Sequence, residues 1–102
     1  KDDMESALKY YNIAWEKDPT NFDANFNMGV FAFNKGVEIK KIVDDMDMAT
    51  YREKGKDVEK KVCAQFNVAK GYFDAANETK PGDDDVMNNL TSIGTALEQC
   101  DK

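Results

Sequence analysis

VAKGYFDAANETKPGD, residues 68–83, and ALKYYNIAWEKDPTN, residues 7–21, are two segments built to one plan. Set on their prolines, Pro81 and Pro19, they pair Ala69 with Ala7, Phe73 with Tyr11 and Ala76 with Ala14. A small residue, an aromatic and a small residue at steps of four and three lie on one face of an α-helix. Proline ends each helix, because it lacks a backbone N–H and its ring clashes with the preceding turn. In the later copy Lys80-Pro81-Gly82 makes that stop emphatic. The chain therefore contains two helices that finish alike, and the segments around them decide the rest.

Working outward, Met4, Leu8, Tyr11 and Trp15, with Ala7 and Ala14 beside them, predict a first helix over about 3–18. A second follows Thr20-Asn21, both N-cap residue types, with Asp23 placed to meet the helix dipole, and extends over about 22–46. Its stripe is Met28, Ala32, Ile39, Ile42 and Met46, with Lys35 in the one gap, and it runs through Gly36. A glycine inside a helix costs only about 1 kcal/mol relative to alanine, too little to end it. The segment DMDMATYREKG supplies a turn, and Thr50 with Glu53 has the form of a capping box. A third helix over about 51–79 carries Tyr51, Val58, Val62, Phe66, Ala69, Phe73 and Ala76 on one face, with Gly55 in line. A fourth over about 84–100 opens on Asp83, Asp84 and Asp85, which suit a helix N-terminus, and carries Val86, Leu90, Ile93, Leu97 and Cys100. No segment alternates like a strand. The expectation is a single all-α domain over residues 1–102, four helices joined antiparallel by short turns.

Composition narrows what such a domain does. The chain has 102 residues, 41% apolar and 33% charged, a net charge of −6 and no histidine. Arg52 is the lone arginine. An acidic balance disfavours nucleic acid and anionic membrane surfaces as partners. No apolar run approaches the roughly 20 residues of a membrane span, and KDDMESALKYY lacks the grading of a signal peptide. With no initiator Met, the sequence reads as a fragment or processed form of a longer protein. Lacking histidine, it has no Ser-His-Asp triad, no Cys-His dyad and no neutral-pH imidazole base. Neither a GxGxxG nor a GxxxxGK[ST] loop is present. No catalysis, no cofactor and no metal site are expected. Neither acidic cluster has the glycine and glutamate spacing of a calcium loop: counted from Asp83, those places hold Asn88 and Gly94.

The helices that follow the two prolines also correspond. FDANFNMG, residues 22–29, parallels DDVMNNLT, residues 84–91, with Asn27-Met28 matching Asn89-Leu90. Together with the paired helix ends this resembles the tetratricopeptide repeat family, whose unit is a helix bearing Leu-Gly and an aromatic, then a helix bearing Ala, an aromatic, Ala and Pro. Asn25 and Met87 stand where that family favours Trp, Ala32 and Gly94 replace a Tyr, and Thr91 replaces the Gly. Pro19 and Pro81 are 62 residues apart, whereas one repeat spans about 34. The resemblance is thus to a bacterial subgroup with a lengthened central repeat, often exported, in which the excess forms a long projecting hairpin. It implies a scaffold for protein–protein interaction. An exported location follows from that resemblance alone, and a cytoplasmic one stays open.

In that family peptides lie along a concave surface made by the first helix of each repeat. Carried over residue by residue, this places Phe26, Val30, Phe33 and Asn34 of the second helix, and Asn88, Ser92 and Thr95 of the fourth, on the partner-binding face. The competing reading packs Phe26 and Phe33 against the first or fourth helix. Phe26 and Val30 occupy positions where a clamp for a terminal carboxylate needs Lys and Asn, so that binding mode is disfavoured. A second role is self-association through the terminal helices and the hairpin. The hairpin tip, with Asp44, Asp45, Met46, Asp47, Met48 and Tyr51, is either a docking knob or a solvated turn. Cys63 lies 16 residues before Thr79 and Cys100 lies 16 after Asp84. At about 1.5 Å per residue antiparallel helices bring them level. They are either a disulfide or two small apolar residues. Lys60 and Lys61 beside Cys63 favour its thiolate, but no acid–base partner makes it catalytic. Asn77-Glu78-Thr79 and Asn89-Leu90-Thr91 fit the glycosylation triplet and fall on helices.

Overall fold

The computed structural model describes residues 2–100, with side chains from Ser6 onward. The place of Met4 on the first apolar stripe lies outside the described side chains. The elements are α1 (Asp2–Lys17), α2 (Phe22–Asp44), a single turn α3 (Met48–Thr50), a π-helical turn Tyr51–Gly55, α4 (Lys56–Thr79) and α5 (Asp84–Cys100). The turn α3, the π turn and α4 follow one another without a break, so the architecture is all-α with four helices, and no strand occurs among the described residues.

The starts of α2, α3 and α5 each have an identifiable cap. Asn21 Oδ1 accepts from Ala24 N at 2.8 Å, while Thr20 folds back on Asp18 instead, its hydroxyl donating to the carboxylate at 2.6 Å. Asp83 Oδ1 accepts from the backbone N–H groups of Asp85 and Val86 at 3.1 and 3.2 Å. The expected Thr50–Glu53 capping box does not form. Asp47 is the cap, accepting from Thr50 N at 2.7 Å, and it starts the helix at Met48. An ionised side chain three residues upstream takes the N–H of Thr50 itself, so Thr50 is already inside the helix and cannot cap it. The π turn then absorbs the register difference between this early start and the apolar face of α4. There the Tyr51 ring lies over Gly55 so closely that a Cβ would collide with it.

The core forms where α2 meets α4, the most extensive contact of the fold, with α5 on α4 and α1 on α2. A Cβ at Gly29 would lie 2.9 Å from the Phe73 ring, and one at Gly36 2.8 Å from Phe66. As numbers climb on α2 they fall on α4, so the two helices run in opposite directions with glycine set against phenylalanine. Phe66, Ala69, Phe73, Ala76, Val86 and Ile93 are the centre of a single buried cluster. On α2 the buried line is Asn25, Met28, Gly29, Ala32, Gly36 and Val43. Ile42, expected on this line, is 58% exposed. At 100° per residue its neighbour Val43 continues the steps of four and three through the two glycines, and Ile42 is turned outward. Tyr51, expected on the inner face of the third helix, is likewise at the surface, 36% exposed.

Asn25 is the one polar residue in the core among the described residues, with its side chain fully buried. Its Oδ1 accepts from Trp15 Nε1 at 3.1 Å, and its Nδ2 donates to the carbonyls of Pro19 at 2.7 Å and Asn21 at 3.1 Å. Both polar atoms of the side chain thus keep partners out of water, and the knot ties the end of α1 to the start of α2. Beside it Thr79 Oγ1 donates to the Thr20 carbonyl at 2.8 Å, which brings the end of α4 to the same corner. At the far end of α5 the structure joins Cys63 and Cys100 by a disulfide, with their Cα atoms 6.0 Å apart. No helix among the described residues is long and apolar enough to cross a membrane.

Candidate interaction site

Phe26 and Phe33, one helical face away from the glycines, are drawn onto α4. The Phe26 ring meets Phe73 edge-on at 5.6 Å between centroids, and Phe33 meets Phe66 at 5.5 Å. Val30 is half-buried between them. Packing therefore engages both phenylalanines, with their aromatic partners on α4 and the rest of the buried cluster, Val86 and Ile93 of α5 included, beneath them. Phe22 stacks on Phe26, with the Lys80 ammonium 4.4 Å from its centroid. Asn34 is exposed on the far side of α2, and Asn88, Ser92 and Thr95 are exposed on α5.

The inner face of α5 sits one residue out of step with the proline alignment. Val86 and Ile93 are fully buried, with Leu90 and Leu97 half-buried. They correspond to Asn25, Ala32, Gly29 and Gly36 of α2 at an offset of 61 residues, whereas the two prolines and the caps Asn21 and Asp83 are offset by 62. At the packing offset the counterparts of Phe26, Val30, Phe33 and Asn34 are Met87, Thr91, Gly94 and Thr95. The three residues expected on α5, Asn88, Ser92 and Thr95, are spaced by four and three and lie together on one exposed face of that helix.

A concavity lies on the opposite flank of α2. It is an open groove of about 650 Å³ with α2 as its floor and α1 and α4 as its walls. Leu8 on α1, Met28, Phe31 and Ala32 on α2, and Val68 and Tyr72 on α4 give it an apolar lining. Asn12, Asn34, Lys35, Glu38 and Gln65 make the polar rim, so Asn34 is the one expected site residue that borders it. The groove exists because α1 leans on α2 at Tyr11–Phe31, with centroids 6.3 Å apart, but reaches α4 through Trp15 and Tyr72. A smaller hollow of about 320 Å³ continues past Val68 and Tyr72 toward Trp15, Pro19 and Asn25. Gly71 and Ala75 keep that end open, since nothing lies within 4 Å of where a Gly71 Cβ would stand. Val68 is 48% exposed.

The displaced ionisation equilibria belong to surface turns. Asp18 and Asp47 are held below the usual carboxylate range, Asp18 by the Thr20 hydroxyl and N–H and Asp47 by the Thr50 N–H. The Tyr51 phenol is raised by its 3.0 Å hydrogen bond to the Glu59 carboxylate. None of these groups lines the groove. No family model matches this chain, and no curated protein or solved structure matches it.

Proposed function

We propose that this domain is a non-catalytic protein-interaction module of tetratricopeptide type, and that the groove between α1 and α4 receives an apolar segment of a protein or peptide partner. The observation that carries this reading is the groove itself: an apolar trough ringed by amides and two opposite charges suits anchored side chains rather than bond chemistry. The helix order then corresponds to a second repeat helix, a lengthened pair forming the projecting hairpin, and a terminal first helix. The −6 net charge favours basic partners during encounter, with the apolar floor holding them afterwards. The groove is favoured over the Phe26, Val30 and Phe33 face because those side chains are already engaged with Phe73 and Phe66.

The test is selection of displayed peptides on the immobilised full chain, followed by affinity measurement on two charge insertions. Val68→Glu, inside the groove, should weaken the selected peptides at least tenfold, and Met87→Glu on α5 should leave them within twofold. Equal loss on both variants, or on neither, defeats the reading. A second role, self-association, draws on Tyr10 and Ile13, 68% and 49% exposed on the outer side of α1. Light scattering over a range of concentrations decides it: a mass fixed at the monomer value rejects assembly, and a concentration-dependent dimer puts it first.

A further inference from the structure

The two halves of α5 are held by different means. Up to Ile93 the helix is anchored by two fully buried side chains, Val86 and Ile93, and by the Asp83 cap. From Gly94 to Cys100 no side chain is fully buried: Ala96 and Leu97 are half-buried, and Thr95, Glu98 and Gln99 are exposed. Gly94 has nothing within 4 Å of its Cβ direction, and the last turn carries no basic residue to meet the negative end of the helix dipole. What pins this half is the bond from Cys100 to Cys63. Opposite running of α4 and α5 from that bond sets Leu97 level with Phe66, so the same seven residues cover the core where Phe66 also receives Phe33.

We infer that the Cys63–Cys100 disulfide is a redox latch on the second half of α5. Neither cysteine is fully buried, which leaves the bond within reach of a small reductant in the folded protein. A dithiol reductant gives up two electrons and two protons: its first thiolate attacks one sulfur and expels the other as thiolate. Its second thiol then closes a cyclic disulfide, leaving Cys63 and Cys100 as thiols. The hinge is Gly94, and opening bares Phe66 and the edge of Phe33. In an oxidising compartment the latch is shut.

Hydrogen exchange of the full chain, before and after dithiothreitol without denaturant, tests this. Protection over residues 95–100 should fall at least about tenfold more than protection over α2, and glutathione disulfide should restore it. The double variant Cys63→Ser, Cys100→Ser should show the open pattern whether or not reductant is present. An equal fall across all helices would make the bond a staple of the whole fold and overturn the latch. So would unchanged protection of residues 95–100, a bond that yields only in denaturant, or two free thiols by mass before any reductant is added.

Discussion

Replacing Gly36 by alanine sets two effects of opposite sign against each other. Helix propensity alone favours alanine by about 1 kcal/mol. The added methyl, however, would stand 2.8 Å from Cε1, 3.0 Å from Cδ1 and 3.3 Å from Cζ of Phe66. Carbon–carbon contact is comfortable at roughly 3.5–4.0 Å, so the ring must retreat by a large part of an ångström. Phe66 is 3% exposed and is enclosed by Phe33 and α5, which leaves it no space to retreat into. Overpacking of this kind costs about 1–3 kcal/mol. Gly36→Ala should therefore be destabilised by up to about 2 kcal/mol net, a fall in melting temperature of up to about 15 °C for a domain of this size. Gly71→Ala, where nothing lies within 4 Å, supplies the control and should gain up to about 1 kcal/mol. Urea unfolding followed by circular dichroism measures both, and Phe66→Leu in the Gly36→Ala background should return part of the loss. If Gly36→Ala stabilises the protein as much as Gly71→Ala does, α2 and α4 do not approach as described and the account of the core is wrong.

Three further outcomes follow from the same contacts. Asn25→Leu strands the Trp15 N–H and the Pro19 carbonyl, while the Asn21 carbonyl keeps its bond from the backbone N–H of residue 25, and should cost about 1–3 kcal/mol in urea unfolding. Because Asp18 and Asp47 bind protons more weakly in the folded chain, their caps contribute above the unfolded carboxylate range and fade as pH falls through the lower folded values. Asp47→Asn should accordingly flatten the acid limb of a stability–pH profile below about pH 4. The raised Tyr51 works in the other direction: its bond to Glu59 contributes while the phenol keeps its proton, and is lost as pH climbs past its folded value. A 295 nm titration should show one phenol fewer at the alkaline end in Tyr51→Phe.

Much of the helix framework is legible in the chain, because each helix shows its inner stripe and meets a proline or a capping side chain. The misplaced details share one cause, that a helix reveals its apolar face but not what lies opposite. Gly29 and Gly36 read as a repeat position and a tolerated interruption, yet they are the contact points for two phenylalanines on a helix more than 25 residues away. Asn25 reads as a departure from Trp, and its significance rests on Trp15, supplied from the preceding helix. Pro19 and Pro81 lie in the turns outside the helices, so aligning them fixes where α2 and α5 begin but not how α5 is rotated on α4, hence the one-residue offset. The candidate groove is less legible still. Val68 and Gly71 lie off the inner stripe of α4, and only the lean of α1 turns them into the wall of a trough.

Trp15, the sole tryptophan, lies at the end of the trough beside Tyr72, and its emission reports whether the groove is filled. The decisive measurement is a fluorescence titration of the full chain with the peptides selected on it, repeated on Val68→Glu. The account predicts a saturable shift in Trp15 emission at the affinity found independently, weakened at least tenfold in the variant. Binding that leaves Trp15 emission unchanged and ignores Val68→Glu would contradict it and move the partner to another face of the molecule.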